Sequence, residues 1–225
     1  MSPIQNTRRS ALLLAAFVAI IGAAQASPIV VFNNGVTGAG TVLPDGTLGD
    51  PHYTLVSTPV GSTTIIRTRR ASGGFPIPPY LGDDSLSDWI GPNNDPELNG
   101  PVGQYDYRTT FSLAGLDAAT ANLSGLWSSD NEGVNILLNG NPTGNAIPSV
   151  TSFFNFHPFT IAGVFNQGIN TLDFIVNNSS IGGGGPTALR VEISGTASPL
   201  QVPEPATLAL VALSLTALGW SRRKA

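Results

Sequence analysis

Aspartates cluster in one turn-rich part of this 225-residue chain, and an aromatic ring stands beside them. Asp83, Asp84 and Asp88 lie within six residues of one another, and Trp89 follows directly. Two carboxylates roughly 5–10 Å apart can hydrolyse a glycosidic bond. The spacing alone does not show that these carboxylates enclose a pocket, and an enzyme needs a complete set of groups. We therefore expect no catalytic activity, with a glycan-active hydrolase as the less favoured alternative.

Other common catalytic patterns are missing from the sequence. The chain has no cysteine, which rules out disulfide bonds, thiolate metal sites and cysteine nucleophiles. Its two histidines, His52 and His157, do not have the H-E-x-x-H spacing of a zinc site. There is no G-x-S-x-G nucleophile motif, and the glycine run at 182–185 lacks the Lys and Ser/Thr of a phosphate-binding loop.

Calcium is the one cofactor that the sequence leaves open. Carboxylate and carbonyl oxygens are the ligands that calcium prefers, but no D-x-[DN]-x-[DN]-G loop is present. Solvated turn carboxylates are the favoured interpretation, and the run Asp130-Asn131-Glu132-Gly133 is likewise interpreted as a turn between strands. The candidate calcium ligands are Asp45, Asp50, Asp83 and Asp84.

An aromatic ring beside amides and carboxylates can also bind a sugar. Trp89 is predicted to lie in a loop, which makes it the best candidate for stacking on a sugar ring, and Tyr80 is the second. The alternative, that Trp89 fills one end of the core, stays open. Trp127 lies in a predicted strand and is expected in the core. The hydrogen-bonding candidates beside Trp89 are Asp88, Asn93 and Asn94.

Short alternating runs must position these residues, because no long stretch shows the 3.6-residue apolar period of a helix. In the clearest run, 105–113, aromatic and aliphatic residues alternate with polar ones, which is typical of a strand with one buried face. Residues 72–103 hold most of the prolines and are predicted to be largely irregular. About eight strands fit an all-β sandwich of the jelly-roll kind. The strand candidates are 29–32, 52–58, 63–68, 105–113, 122–128, 134–138, 159–161, 171–176 and 189–193.

The N-terminal segment is typical of an export signal. Arg8 and Arg9 precede an apolar run at 11–24, which is short for a stable membrane span. Ala24 and Ala26 then offer small residues to signal peptidase, so cleavage is predicted between Ala26 and Ser27. The general secretory route is favoured over the twin-arginine route, and a retained N-terminal membrane anchor is the less favoured alternative.

The C-terminal segment has three parts in a fixed order. The tripeptide Pro203-Glu204-Pro205 precedes an apolar run at 206–220, and basic residues follow. A 15-residue helix would cover about 22 Å of a hydrocarbon core about 30 Å thick, so a short transmembrane helix is expected. The basic residues would hold that end in the cytoplasm, which leaves the rest of the chain outside. These basic residues are Arg222, Arg223 and Lys224.

This order resembles the PEP-CTERM sorting signal of exopolysaccharide-producing Gram-negative bacteria. The resemblance covers about residues 200–225. It implies that a membrane enzyme, exosortase, processes the tail near Pro203-Glu204-Pro205. It also implies export to the cell envelope or beyond, with transient anchoring in the inner membrane before processing.

The segment between the two ends, 27–201, is acidic and long enough for one domain. It contains five arginines and no lysine against 13 Asp and Glu residues, a net charge of −8. Such a surface repels nucleic acid and anionic polymers, so nucleic-acid binding is excluded. We assign 27–197 to the domain and 198–201 to a linker that leads into the sorting signal.

Four short segments of this domain follow one another: 107–111 (YRTTF), 127–131 (WSSDN), 137–140 (LLNG) and 168–172 (GINTL). In this order they resemble the strands and LNG turn of galactose-binding-like jelly-roll modules, and a domain that recurs in PEP-CTERM proteins. The resemblance implies one carbohydrate-binding-like sandwich. The expected role is association with extracellular polysaccharide, and a purely structural matrix protein without a defined ligand remains the alternative.

Overall fold

The computed structural model describes residues 25–75, 77–179 and 184–201, together with Gly219. Most of the predicted signal peptide, including Ala24, lies outside these residues, and so do the tripeptide Pro203–Pro205 and the basic residues 222–224. In the part of the chain that is described, no helix is both long and apolar enough to cross a membrane.

The described residues form an all-β structure, as the alternating pattern predicts. Three 3₁₀ helices of three residues each accompany the strands, at Ala71–Gly73, Ala118–Thr120 and Ser152–Phe154. The strands are β1 (Ser27–Pro28), β2 (Tyr53–Ser57), β3 (Ile66–Arg69), β4 (Trp89–Pro92), β5 (Asn99–Gly100), β6 (Gly103–Ser112), β7 (Asn122–Asp130), β8 (Glu132–Leu138), β9 (Asn141–Pro142), β10 (His157–Ala162), β11 (Ile169–Asn178), β12 (Gly185–Pro186) and β13 (Ala188–Ala197).

The strands build two main antiparallel sheets. The first has the order β10-β7-β13-β4-β3, with β1 paired to the end of β13. The second has the order β2-β6-β11-β8-β9, and β12 and β5 form a separate small pair. Strands β7 and β8 follow each other in sequence but belong to different sheets. The predicted turn at 130–133 is therefore a crossover from one sheet to the other.

The two sheets pack face to face around an aromatic core. Phe174 of the second sheet lies with its ring centroid 5.8 Å from Trp127 and 6.0 Å from Phe159, both on the first sheet. Burial of each such side chain contributes roughly 1.5–3 kcal/mol. Gly133 is required beside this core, because a Cβ atom there would overlap the ring of Trp127. The prediction of Trp127 as a core residue is confirmed.

Two strand predictions differ from the structure. Residues 29–32 form no strand, because β1 ends at Pro28 and only Ile29 continues the backbone pairing, with Gly195. Trp89 begins β4, which lies inside the first sheet between β13 and β3. The proline-rich composition of 72–103 hid this strand, since it is only four residues long.

The two ends of the sandwich carry different parts of the chain. Ala188 at the start of β13 lies opposite Asp130, and Ala197 at its end lies opposite Ser27. Ten residues at about 3.3 Å each separate the two ends by roughly 30 Å. The Asp130 pole is the end formed by Asp130, Asn178 and the loops beside them. The termini pole is the end formed by Ser27 and residues 112–118, 162–169 and 196–200.

The chain remains attached to the domain beyond β13. The backbone N–H of Leu200 donates to the carbonyl of Gly115 (2.9 Å), and the N–H of Asp117 donates to the carbonyl of Ser198 (2.7 Å). The segment 198–200 is therefore docked on the termini pole rather than free, and the domain extends to Leu200.

Candidate functional site

A small pocket opens at the Asp130 pole, where strand ends and loops from both sheets meet. Its volume is about 240 Å³. This is slightly below the roughly 300 Å³ at which typical small-molecule sites begin, which suits one small ring. The ends of β7 and β11, the strand β12 and the Ser152–Phe154 turn all contribute. The lining residues are Pro79, Tyr80, Asp130, Asn131, Phe153, Asn178, Gly184, Gly185 and Pro186.

Asp130 supplies the carboxylate of this pocket. Its Oδ2 accepts a hydrogen bond from the Tyr80 hydroxyl, and its Oδ1 accepts one from Asn131 Nδ2 (2.6 Å). Burial raises the pKa of Asp130 to about 7, the Tyr80 hydrogen bond lowers it, and the neighbouring Glu132 raises it. Asp130 makes no ion pair with an arginine among the described residues. Near neutral pH this carboxyl group can therefore either donate or accept a proton.

A second phenol lies behind the carboxylate. Tyr107 is fully buried on β6, and its hydroxyl has no hydrogen-bond partner in the described structure. Burial raises the pKa of Tyr107, and the charges of Tyr105 and Asp130 raise it further. The same factors, burial first and Asp130 second, raise the pKa of Tyr80. Both phenols are therefore neutral at any physiological pH, and of the two only Tyr80 donates a hydrogen bond to Asp130.

A row of aromatic rings runs from the core to the pocket wall. The Trp89 ring meets Tyr80 edge-on at 5.1 Å, and Tyr80 stacks on Phe153 at 4.7 Å. Trp89 Nε1 donates to the carbonyl of Leu81 (3.0 Å), so the buried indole is satisfied. Phe153 is half-buried and lines the pocket, whereas its neighbour Phe154 is exposed and does not. The ring of Phe153 is thus the aromatic surface that the pocket presents.

The amides of the pocket hold its loops together. Asn178 Nδ2 donates to the carbonyls of Gly100 (2.8 Å) and Gly185 (3.2 Å). Asn131 Oδ1 accepts from the backbone N–H of Ser179 (2.7 Å). These donors are occupied within the protein. The side chains left to contact a ligand are the half-buried ring of Phe153 and Asp130, which is 4% exposed and accepts one hydrogen bond at each carboxyl oxygen.

The prediction that Trp89 offers an exposed stacking face is wrong. Its side chain is 0% exposed, because it lies on an inner strand and packs beneath Tyr80. The alternative that Trp89 fills one end of the core is therefore the correct one. Tyr80 is also buried, although it lines the pocket and hydrogen-bonds to its carboxylate.

The polar residues predicted beside Trp89 do not join a sugar site with it. Asp88 is buried and forms an ion pair with Arg70. Asn93 Oδ1 accepts from Arg67 Nε (2.5 Å). Asn94 Oδ1 accepts from the backbone N–H of Thr63 (3.1 Å). These hydrogen bonds hold the loop after β4 against β3 and the segment that precedes it.

Two arginines bind the aspartate cluster formed by Asp83, Asp84 and Asp88. Arg70 pairs with Asp83 (3.7 Å) and with Asp88. Arg190 is fully buried, and its Nη2 lies 2.6 Å from Asp84. Burial raises the pKa of Asp88 to about 7 even though Arg70 lowers it. Asp88 and Arg190 are buried within this ion-pair network, whereas Asp83 and Asp84 are exposed at its surface.

Arg190 anchors this network to the outer face of the first sheet. Its Nε donates to Ser87 Oγ (2.8 Å), and its Nη1 donates to the carbonyl of Gly82 (2.6 Å). Its guanidinium group also lies 5.2 Å from the ring centroid of Phe156. These contacts fix the irregular segment 82–88 against β13.

The other two calcium candidates also have partners within the protein. Asp45 lies 3.5 Å from Arg69 Nη1. Asp50 accepts from the backbone N–H groups of Gly35 (2.6 Å) and Tyr53 (2.9 Å), and so holds a turn. Among the described residues, no three His, Cys, Asp or Glu side chains are placed to hold a metal ion. The structure therefore does not bring the predicted ligands Asp45, Asp50, Asp83 and Asp84 together.

Sequence reasoning missed three groups of the pocket: Asp130, Phe153 and Asn178. Asp130 is predicted in a turn between two strands, but residues 127–130 are all buried because a loop covers the outer face of β7. This loop is attached to β7 by a hydrogen bond that Ser128 Oγ donates to the carbonyl of Ser152 (2.8 Å). The end of β7 lacks the alternation of buried and exposed residues, which is a weak sequence signal that both of its faces are buried. The loop that covers β7 cannot be identified from local sequence, because it lies far away along the chain.

Comparisons with known proteins address the two parts of the chain separately. The chain is similar to the solved structure of a CBM35 from Paenibacillus barcinonensis, with 17% sequence identity and a TM-score of 0.34. The match covers 66% of this chain and 98% of the other. A comparison with curated proteins found no match. The family described as PEP-CTERM protein-sorting motif matches residues 201–224. The chain therefore carries, directly after its sandwich domain, the PEP-CTERM sorting motif that its C-terminal sequence predicts.

Proposed function

We propose that this protein is exported, processed by exosortase, and associates with extracellular polysaccharide through the pocket at the Asp130 pole. The sorting motif at 201–224 carries the first half of the proposal. The pocket, with a buried carboxyl group beside an aromatic wall, carries the second half. Its size suits one sugar ring, such as a chain end.

Phe153 and Asp130 have complementary roles in this proposal. The ring of Phe153 packs against the apolar C–H face of the sugar, and the carboxyl group of Asp130 accepts hydrogen bonds from sugar hydroxyls. Ionised acceptors form stronger hydrogen bonds than neutral ones. The net charge of −8 over 27–201 disfavours an anionic polymer, so the ligand is a neutral glycan.

The sorting route completes the proposal. Signal peptidase releases the N-terminal segment before Ser27, and a helix at 206–220 holds the chain in the inner membrane until exosortase acts. The sandwich is a galactose-binding-like jelly roll, and the processed protein resides in the envelope or the extracellular matrix.

A binding role is favoured over a hydrolytic one. The candidates for glycoside chemistry all pair with Arg70 or Arg190, and they are Asp83, Asp84 and Asp88. The pocket itself contains one carboxyl group, and the usual glycosidase mechanism needs two.

A purely structural matrix role is the second candidate. The observation that favours it is the internal use of the pocket amides, since Asn178 binds two loop carbonyls and Asn131 binds Asp130. A structural protein predicts no selectivity among glycans.

A glycan array separates these candidates. The protein is produced as residues 27–201, with and without calcium, beside the variants Asp130→Asn and Glu97→Gln. The proposal predicts binding to a subset of neutral glycans that Asp130→Asn weakens, while the exposed control Glu97→Gln binds like the wild type. The absence of binding to every glycan under both conditions would refute it.

A further inference from the structure

We infer that the termini pole lies against the lipid bilayer while the sorting tail is inserted, so that the pocket faces away from the membrane. This inference rests on the membrane stage of the proposed sorting route. It concerns an interaction surface separate from the pocket and about 30 Å distant from it.

Both apolar segments of the chain connect to the same pole. Ser27, the residue after the predicted signal cleavage site, pairs with Ala197 at the end of β13. The last residue tied to the domain before the tail is Leu200, whose N–H donates to Gly115. Two tethers at one pole turn that pole toward the membrane before signal cleavage.

The remaining C-terminal tether is short. Ala206, the first residue of the apolar run, is six residues beyond Leu200. Even a fully extended chain of this length spans only about 20 Å. The headgroup layer itself is roughly 5–8 Å thick on each side of the hydrocarbon core. The termini pole is therefore held close to the bilayer surface.

The surface of this pole suits an uncharged interface. Residues 112–122, 139–145, 160–172 and 194–201 contain a single charged residue, Asp117. Val164 is 89% exposed, Ile169 66% and Leu200 44%, so three apolar side chains stand out from this end. Exposed apolar side chains gain free energy when they enter the interfacial layer of a membrane.

The opposite pole is unsuited to the same contact. The Asp130 pole carries Asp95 and Glu97 in the loop between β4 and β5, and Glu132 at the start of β8. Charges close to the hydrocarbon layer are costly. The asymmetry of charge therefore favours the same orientation as the tethers.

A consequence follows for the order of events. A glycan can occupy the pocket before the tail is removed, because the pocket lies roughly 30 Å from the membrane surface. Since the termini pole has no basic residue in the segments named above, contact depends on apolar side chains and not on anionic lipid.

The absence of cysteine allows a direct test with the full-length chain. Single-cysteine variants Val164→Cys, Val60→Cys and Leu213→Cys are labelled with an environment-sensitive fluorophore. Each is reconstituted into vesicles of phosphatidylethanolamine and phosphatidylglycerol that contain a lipid-attached quencher. Val60 is the matched control, because it is 100% exposed in the loop after β2, at the end of the domain opposite the termini.

The inference predicts loss of fluorescence and a blue shift at 164 and 213 but not at 60, unchanged in high salt. Equal quenching at 164 and 60 would overturn it, because the pole would then have no preferred orientation. A probe at 213 that stays in water would overturn membrane attachment itself. If neither a lipid-attached nor a water-soluble quencher reached the probe at 164, the inference would also be overturned. The termini pole would then be covered by a second copy of the chain and not by lipid. A failed glycan array would leave all these outcomes unaffected.

Discussion

Replacement of Asp130 by asparagine should change how the stability of the domain depends on pH. The carboxyl group is almost fully buried, and burial raises its pKa from 3.8 to about 7. A carboxyl group with a raised pKa in the folded state stabilises the fold while it is protonated. That contribution is fully present below pH 3.8 and is lost as the pH rises through 7.

The size of the effect follows from proton linkage. Between pH 5 and pH 8, one such group lowers the free energy of unfolding by about 2–3 kcal/mol. Asp88 and Asp106 add to the loss in the wild type, because burial raises the pKa of Asp88 to about 7 and that of Asp106 to about 6. The Asp130→Asn variant isolates one group, since asparagine keeps the shape of the side chain but cannot ionise.

Urea unfolding at pH 5 and pH 8, followed by tryptophan fluorescence, measures the effect. The wild type should lose more stability between the two pH values than Asp130→Asn, by about 2–3 kcal/mol. Asp117→Asn is the control, because Asp117 lies at the other pole and caps a short turn. Equal losses in the wild type and Asp130→Asn would show that Asp130 is ionised in the folded protein throughout this range, which would refute the reasoning.

Three further predictions concern binding and packing. Glycan affinity should rise between pH 6 and pH 8 in titration calorimetry, because Asp130 ionises over this range, and Asp130→Asn should abolish the rise. Arg190→Met should lower the free energy of unfolding by about 1–3 kcal/mol in urea, because it removes the hydrogen bonds of a fully buried guanidinium group to Ser87 and Gly82. Its ion-pair partner Asp84 is exposed and stays hydrated. Gly133→Ala should lower it by about 1–3 kcal/mol through overlap with Trp127, and an unchanged midpoint in either denaturation would contradict the described packing.

The alternation of apolar and polar residues predicts most of the strands, because a strand with one buried face has an apolar residue at every second position. The run at 105–113 corresponds to β6, whose Tyr105, Tyr107 and Phe111 point into the core. The same signal failed for β4, since both faces of this short strand are buried and its composition resembles a loop. The sequence therefore predicts a loop position for Trp89 and leaves its burial open, although Trp89 is one of the most deeply buried residues.

The pocket could be predicted only in part. Tyr80 is identified by residue type, but its partner Asp130 is 50 residues away at the end of β7, and Tyr80 itself lies outside the strands. No local pattern links them, because the segment around Tyr80 meets the end of β7 only in the folded domain. Phe153 belongs to a 3₁₀ turn that carries neither a helical nor a strand period, so its position depends on long-range packing alone.

The sorting tail shows the opposite relation between sequence and structure. Its three parts are adjacent along the chain, so the motif at 201–224 can be identified without any tertiary contact. The docking of 198–200 on the domain was not predicted, because those hydrogen bonds reach back to residues 115–120.

The central claim, that the pocket at the Asp130 pole binds a glycan, is tested most directly by two neighbouring phenylalanines. Phe153 lines the pocket, and Phe154 beside it is exposed and does not. Isothermal titration of the strongest array ligand should show a large loss of affinity for Phe153→Ala and wild-type affinity for Phe154→Ala. Equal affinity in both variants and the wild type would contradict the account, because the ligand would then bind elsewhere.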